Sequence, residues 1–267
     1  MTLADPNAGP PRSLARDALI AFAQRQPATQ ADVDHVMRSL AAHEHWLVPA
    51  AFAARAWGQT QFEQTIAFPQ AGPNPNLNVF SDVDAATLAE GQPLGHYGGP
   101  IDGVRLLRAL DPSLEALIVN PASPREHQWF VASGGFEIAA GWAGAIAVER
   151  ALAERGNGPA PAAELRAHKF HLLLDKVAQG VAQVQLPDID GNMAVCFTAT
   201  DRVAEYVSSL PPTVRHLPDF APIDGLQLFD LMRSIGLAGL VINAGSDDQT
   251  ALTGEDITEI ISSATVG

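Results

Sequence analysis

Pro100-Ile101-Asp102-Gly103 and Pro222-Ile223-Asp224-Gly225 are the same four residues in the same order, and this repetition decides how the fold is interpreted. Each copy is followed by apolar residues at helical spacing, and then by a short apolar run. The first run ends at Asn120-x-x-Ser123 and the second at Asn243-x-x-Ser246. A segment that recurs in this way indicates one supersecondary unit present twice.

Further matching blocks lie before and after this segment. Upstream, 78–82 (NVFSD) corresponds to 195–199 (VCFTA), each predicted to be a short strand that leads into a helix, with Leu88 in the first copy. Downstream, each copy closes with a predicted strand and helix. Because strands alternate with helices, the sequence predicts an α/β (α+β) fold with two tandem homologous modules, each a mixed β-sheet with packed helices.

The predicted boundaries follow from these blocks and from composition. Residues 1–60 form an N-terminal tail, mobile over 1–12, and a helical lead in which Ser13 and Thr29 cap two helices. The first module covers 61–155, the Gly- and Pro-rich segment 156–161 is a linker, and the second module covers 162–267. Pro100 and Pro222 are expected to end the extended segments that precede them.

Charge restricts the classes of partner. The chain has 267 residues and a formal net charge of −14, from 16 basic and 30 acidic residues. This charge disfavours nucleic acid and acidic membrane surfaces, which need clustered Lys and Arg. We therefore expect no nucleic acid and no membrane as partner, but another protein, for which a basic surface would be suitable.

Cys196 is the single cysteine and lies in an apolar run, which indicates a buried thiol and a reducing compartment. The N-terminus has no pattern typical of a secretory signal, and the apolar stretches are too short to cross a bilayer. A cytoplasmic location is the resulting expectation.

The repeated pattern of Val-Phe-Ser or Cys-Phe-Thr, a capped helix and an apolar strand that ends in Asn-x-x-Ser resembles the SseB family, the enhanced serine sensitivity proteins. The resemblance covers roughly 68–143 and 181–262. It implies a bacterial cytoplasmic α/β domain with no established enzymatic activity and no obligatory cofactor, and it supplies no catalytic residues.

Six polar residues are candidates for ligand binding. Asn120, Ser123, Asn243 and Ser246 follow predicted central strands, and ligands of open α/β sheets bind at the carboxyl ends of strands. The alternative is that these side chains stabilise tight turns. Asp102 and Asp224 have a similar ambiguity, because an aspartate in this position also caps a helix.

The sequence contains no complete catalytic or metal-binding motif. A helix predicted over 162–177 would place His168, His171 and Asp175 on one face, yet the chain lacks the His-Glu-x-x-His pattern of zinc hydrolases. It also lacks Gly-x-Ser-x-Gly. The sequence therefore predicts no metal, no cofactor and no catalytic residue.

Three functional hypotheses follow. The leading one is a non-enzymatic SseB-like binding or adaptor protein. The second is an immunity-type protein that neutralises a basic toxin or effector, for which acidic charge would steer association. The third is a hydrolase whose residues form no local motif.

Overall fold

The computed structural model describes residues 13–25, 27–58, 64–69, 76–82, 94–121, 123–156, 158–176, 180–187 and 189–263, with the backbone alone at 64–69 and 94–96. Contacts divide the chain into a first unit, Met1–Ala143, and a second unit, Gly144–Gly267. The predicted mobile tail and the predicted helix with Leu88 lie outside the described residues. Among those that are described, no helix is long and apolar enough to cross a membrane.

Two helices of the first unit begin at the predicted caps Ser13 and Thr29. The helices described in this unit are α1 (Leu14–Gln24), α2 (Gln30–Ala42), α3 (Ala50–Trp57) and α4 (Gly103–Arg108). The Ser13 hydroxyl accepts the Arg16 amide at the start of α1, and Thr29 and Asp32 form a capping box at α2. Both predicted caps are confirmed.

The strands of the first unit are β1 (Trp46–Pro49), β2 (Gln64–Pro69), β3 (Asn76–Val79), β4 (Leu94–Ile101), β5 (Ala116–Val119) and β6 (Trp129–Ala132). They form two sheets, in the orders β1-β4-β2 and β3-β5-β6. Reciprocal backbone hydrogen bonds between Leu47 and Phe80, of 2.9 and 3.0 Å, link β1 to the end of β3. The β3–β5 pair is parallel and β5–β6 is antiparallel.

The second unit contains one seven-stranded sheet. Helix α5 (Phe136–Arg155) runs into this unit, followed by α6 (Ala162–Ala167), α7 (Thr200–Ser209), α8 (Gly225–Ile235) and α9 (Gly254–Ser262). The strands are β7 (Lys169–Asp175), β8 (Gly180–Val181), β9 (Gln183–Val184), β10 (Met193–Phe197), β11 (Pro218–Asp224), β12 (Gly239–Ile242) and β13 (Thr250–Thr253). Their order is β11-β7-β10-β12-β13, with β10–β12 parallel and β12–β13 antiparallel. The α/β fold class with mixed sheets is confirmed.

The sheet of the second unit is buried on both faces, which explains why β10 and β12 are continuous apolar runs. One face of these strands, with Cys196 and Ile242, contacts residues of α5, α6, α8 and α9. The other face, with Val195 and Val241, contacts α7 and the segment that contains β8 and β9. Burial raises the pKa of the Cys196 thiol well above its ordinary value, in agreement with a structural role.

The predicted helix over 162–177 is confirmed for Ala162–Ala167 and is wrong beyond it, since α6 ends at Ala167 and β7 begins at Lys169. The spacing of the apolar residues in β7 fits the period of a helix as well as that of a strand. Pairing with β10 and β11 makes the segment a strand. Pro100 and Pro222 were also wrongly expected to end extended segments, because each lies inside a strand. Pro222 is tolerated because β11 is an edge strand and its nitrogen faces outward.

The division between the units differs from the predicted boundaries. It falls after Ala143, within α5, and not at the segment 156–161. The first unit also includes α1 and α2, which the sequence assigned to a separate N-terminal lead.

Candidate functional site

Asn120 is the centre of a buried polar cluster in the first unit. Its side chain is inaccessible to solvent and its backbone is left-handed, with φ 52°, a conformation that Asn tolerates better than most residues. Its Oδ1 accepts the Ser81 amide at 2.8 Å, and its Nδ2 donates to Ser81 Oγ at 3.0 Å and to the His127 carbonyl at 3.1 Å. Asn120 therefore joins the end of β5 to the chain that leaves β3.

Asn243 has the corresponding position in the second unit. Its φ is 55° and it is 1% exposed. Its Oδ1 accepts the Thr198 amide at 2.9 Å, and its Nδ2 donates to Glu149 Oε1 at 3.2 Å. The Thr198 hydroxyl donates to the same Glu149 oxygen at 2.5 Å. Glu149, which the sequence analysis missed, thus takes part in the cluster from α5.

Two buried histidines complete these clusters. Nε2 of His43 lies 2.8 Å from the Ser81 carbonyl, and Nε2 of His168 lies 2.8 Å from the Thr198 carbonyl. A carbonyl oxygen only accepts, so Nε2 carries the proton in both. The histidine carbonyls in turn accept the amides of Gly103, at 2.7 Å, and Gly225, at 2.8 Å. Each histidine therefore ties the repeated Pro-Ile-Asp-Gly segment to the Asn cluster.

The sequence contained a signal for these histidines. Segments 40–43 (LAAH) and 165–168 (LRAH) share Leu-x-Ala-His, and in each the histidine follows the last residue of a helix. The match is short and lies in the part of the first unit that was assigned to a separate lead.

Desolvation by burial lowers the pKa of His43 below its ordinary value of 6.5. The hydrogen bond to the Ser81 carbonyl and the charges of Asp82 and Glu44 act in the opposite direction and raise it in part. The unfolded chain therefore binds this proton at higher pH than the folded chain. The free energy of unfolding is expected to fall as the pH drops through and below the ordinary histidine pKa of 6.5. Urea unfolding at several pH values measures this slope.

His43→Gln keeps a donor for the Ser81 carbonyl but cannot be protonated, so the slope should become shallower. His35→Gln, at an exposed position on α2, is the matched control and should leave the slope unchanged. His171, whose pKa burial also lowers, contributes in both proteins alike. An identical slope for wild type and His43→Gln would contradict the prediction.

An ion-pair network borders the Asn243 cluster. Arg202 of α7 contacts Glu149 Oε1 through Nε at 3.4 Å and Glu205 Oε2 through Nη1 at 3.0 Å, and its Nη2 contacts Asp248. Its side chain is only 16% exposed. In the first unit the corresponding border is an Arg16–Asp82 pair at 3.7 Å. These charges follow the carboxyl ends of the central strands, where ligands of α/β sheets bind.

The remaining predicted binding residues mostly serve local structure. The amides of Ser123 and Ser246 donate to the carbonyls of Asn120 and Asn243, both at 3.2 Å, as in tight turns. The Ser246 hydroxyl donates to the Asn243 carbonyl at 2.9 Å.

The two aspartates differ from each other. Asp102 Oδ1 accepts the Val104 amide at 2.8 Å, so the predicted cap of α4 is confirmed. Asp224 occupies the cap position of α8, but its side chain makes no capping hydrogen bond and is exposed, so the predicted side-chain cap is wrong there.

His168, His171 and Asp175 do not share a helix face, because His168 precedes β7 and the other two belong to it. No group of three or more His, Cys, Asp or Glu side chains in the described part of the chain could hold a metal ion. Comparisons with protein-family models, with curated proteins and with solved structures find no match for this chain.

Proposed function

We propose that this chain is a non-enzymatic, SseB-like cytoplasmic binding protein whose partner is another protein with a basic surface. The observation that carries the proposal is the acidic border at the carboxyl ends of β10 and β12. Glu149, Glu205 and Asp248 meet there at Arg202. Asp201 and Asp247 adjoin Arg202 and Asp248 in the sequence. A fixed acidic surface steers association with a cationic partner.

The chemistry of the neighbouring buried groups supports a binding role over a catalytic one. Asn243, Thr198 and Glu149 bond to one another, and Glu149 is held by the Arg202 guanidinium. Groups whose hydrogen bonds are satisfied in this way rigidify a fold. The outer carboxylates are accessible, since the side chains of Glu205 and Asp248 are 54% and 46% exposed.

Neutralisation of a basic toxin or effector is a second candidate, and the same acidic border favours it. The two candidates share the class of partner and differ in its identity. A bound cationic enzyme whose activity is lost in the complex would select the second candidate.

Reversal of charge at the acidic border tests the proposal. We expect Glu205→Lys/Asp247→Lys to reduce capture of the partner from a lysate of the source cell by about tenfold or more, because two attractive charges become repulsive. Capture is measured at low and high salt, with mass spectrometry and then titration of the purified partner. Binding should weaken as salt increases.

The matched control is Glu115→Lys/Glu126→Lys, which makes the same change of charge at exposed positions of the first unit. It should capture the partner as wild type does. Equal losses in both variants would indicate a nonspecific effect of net charge. Retention of the partner by the Glu205→Lys/Asp247→Lys variant would overturn the proposed location.

A further inference from the structure

Strand β6 is an edge of the β3-β5-β6 sheet, and its outward backbone groups can be identified. The Ser133 amide donates to the Glu115 carbonyl at 2.9 Å, and Val131 is paired with Leu117 two residues along. In an antiparallel pair, alternate residues bond inward. Val131 therefore faces β5, and the N–H and C=O groups of Phe130 and Ala132 face away from the sheet.

The edge strands of the second unit, β11 and β13, are protected in part, and β6 of the first unit differs from them. On β11, the Gly225 bond to His168 makes positions 218, 220, 222 and 224 the outward ones. Pro218 and Pro222 have no N–H, and the Phe220 amide donates to its own neighbour, Asp219, at 3.0 Å. On β13, the Thr253 amide is taken by Asp256 at 2.8 Å. Prolines and local acceptors of this kind prevent strand addition.

The side chains of β6 also favour association. The side chain of Phe130 is 61% exposed. The strand registers place Phe130 beside Ile118 of β5, and Ile118 beside Asn78 of β3. The other face of β6 is used internally, since Val131 is buried and Trp129 packs edge-on against Phe22.

We propose that β6 of a second copy of this chain adds to this edge, antiparallel and about a twofold axis through Val131. This register pairs Phe130 of one copy with Ala132 of the other, so that the four outward N–H groups meet four carbonyls. The large side chain of Phe130 then lies opposite the small side chain of Ala132 at two equivalent positions of the dimer. In this register, the end of β6 that is nearer to exposed Arg125 lies against the end of the other copy's β6 that is nearer to exposed Glu137. The twofold axis produces this approach at both ends of the strand pair.

Ala132→Pro tests this pairing selectively. Ala132 has φ −66°, the value that proline requires, so the substitution removes an outward N–H without bending the strand. Sedimentation equilibrium from about 1 µM to about 1 mM should show a wild-type monomer–dimer equilibrium. Two hydrogen bonds are lost for each dimer, so Ala132→Pro should raise the dissociation constant roughly tenfold to a hundredfold.

Phe130→Asp is a second test that does not depend on the tolerance of β6 for proline, and it should abolish the dimer. Leu226→Asp changes a similarly exposed apolar residue of α8, 50% exposed, and should leave the dimer intact. Because each copy is acidic, added salt should strengthen the dimer, whereas it weakens binding of a basic partner.

A wild-type chain that remains monomeric throughout the concentration range would overturn the proposal. A dimer that persists in both folded β6 variants would overturn it too. If wild type is monomeric and Ala132→Pro loses a captured protein instead, the edge binds an extended segment of that protein and not a second copy.

Discussion

Gly225→Ala is expected to lower the free energy of unfolding of the second unit by about 3–5 kcal/mol. The added Cβ would lie 2.1 Å from the Leu165 carbonyl oxygen and 3.0 Å from that of Arg166. Both are backbone atoms at the end of α6, so neither moves without displacing the helix. The same approach holds the 2.8 Å bond from the Gly225 amide to the His168 carbonyl.

Urea unfolding followed by circular dichroism measures this loss, with separate midpoints fitted if the two units unfold separately. Gly103→Ala should destabilise the first unit by a similar amount, because its Cβ would lie 2.3 Å from the Leu40 carbonyl oxygen. Gly141→Ala is the matched control, as its Cβ meets nothing within 4 Å in α5. It should stabilise the protein by about 0.5–1 kcal/mol, since Ala favours helix over Gly. Equal effects at Gly225 and Gly141 would contradict the packing argument.

Asn243→Ala is expected to cost about 3–4 kcal/mol, from two separable causes. It leaves the buried Thr198 amide without its Oδ1 acceptor, and it places a residue with Cβ at φ 55° without a compensating side chain. Urea unfolding of the second unit measures the sum. Asn243→Gly tolerates the left-handed backbone and should recover about 1 kcal/mol of the loss.

Ser246→Ala provides the comparison for Asn243. Ser246 is half-buried, and among the described residues its hydroxyl bonds only within the turn, to the Asn243 carbonyl and the Asp248 amide. The expected cost is below about 1 kcal/mol. If Ser246→Ala were as damaging as Asn243→Ala, the turn and not the link to Thr198 would be the important structure.

At the candidate site, the sequence predicted contacts within a turn but not contacts between distant segments. The repeat drew attention to Asn120 and Asn243, and the turn interpretation of Asn-x-x-Ser agrees with the amide bonds from Ser123 and Ser246. Local sequence patterns could not predict the hydrogen-bond partners of the two asparagines, because Ser81 and Thr198 lie 39 and 45 residues away along the chain. Glu149 lies 94 residues from Asn243. No local spacing encodes a contact at such a distance.

The edges of the sheets illustrate the same limit. From the sequence alone, Pro222 indicates the end of a strand. In the structure it lies inside β11. Which backbone groups face outward depends on register, and register depends on the partner strand. The sequence is compatible with Phe130 as a core residue. The strand order β3-β5-β6 places it on an edge strand.

The local features of this protein follow from residues that are close together in the chain. Capping residues such as Ser13 and Thr29, the apolar runs of the central strands and the alternation of strands with helices depend on neighbours within a few residues. Tertiary structure alone decided that β7 is a strand, that Gly103 and Gly225 meet helix carbonyls, and that His43 and His168 bind carbonyls of other segments. These outcomes depend on close contacts between distant parts of the chain, where burial and hydrogen bonding outweigh local preference.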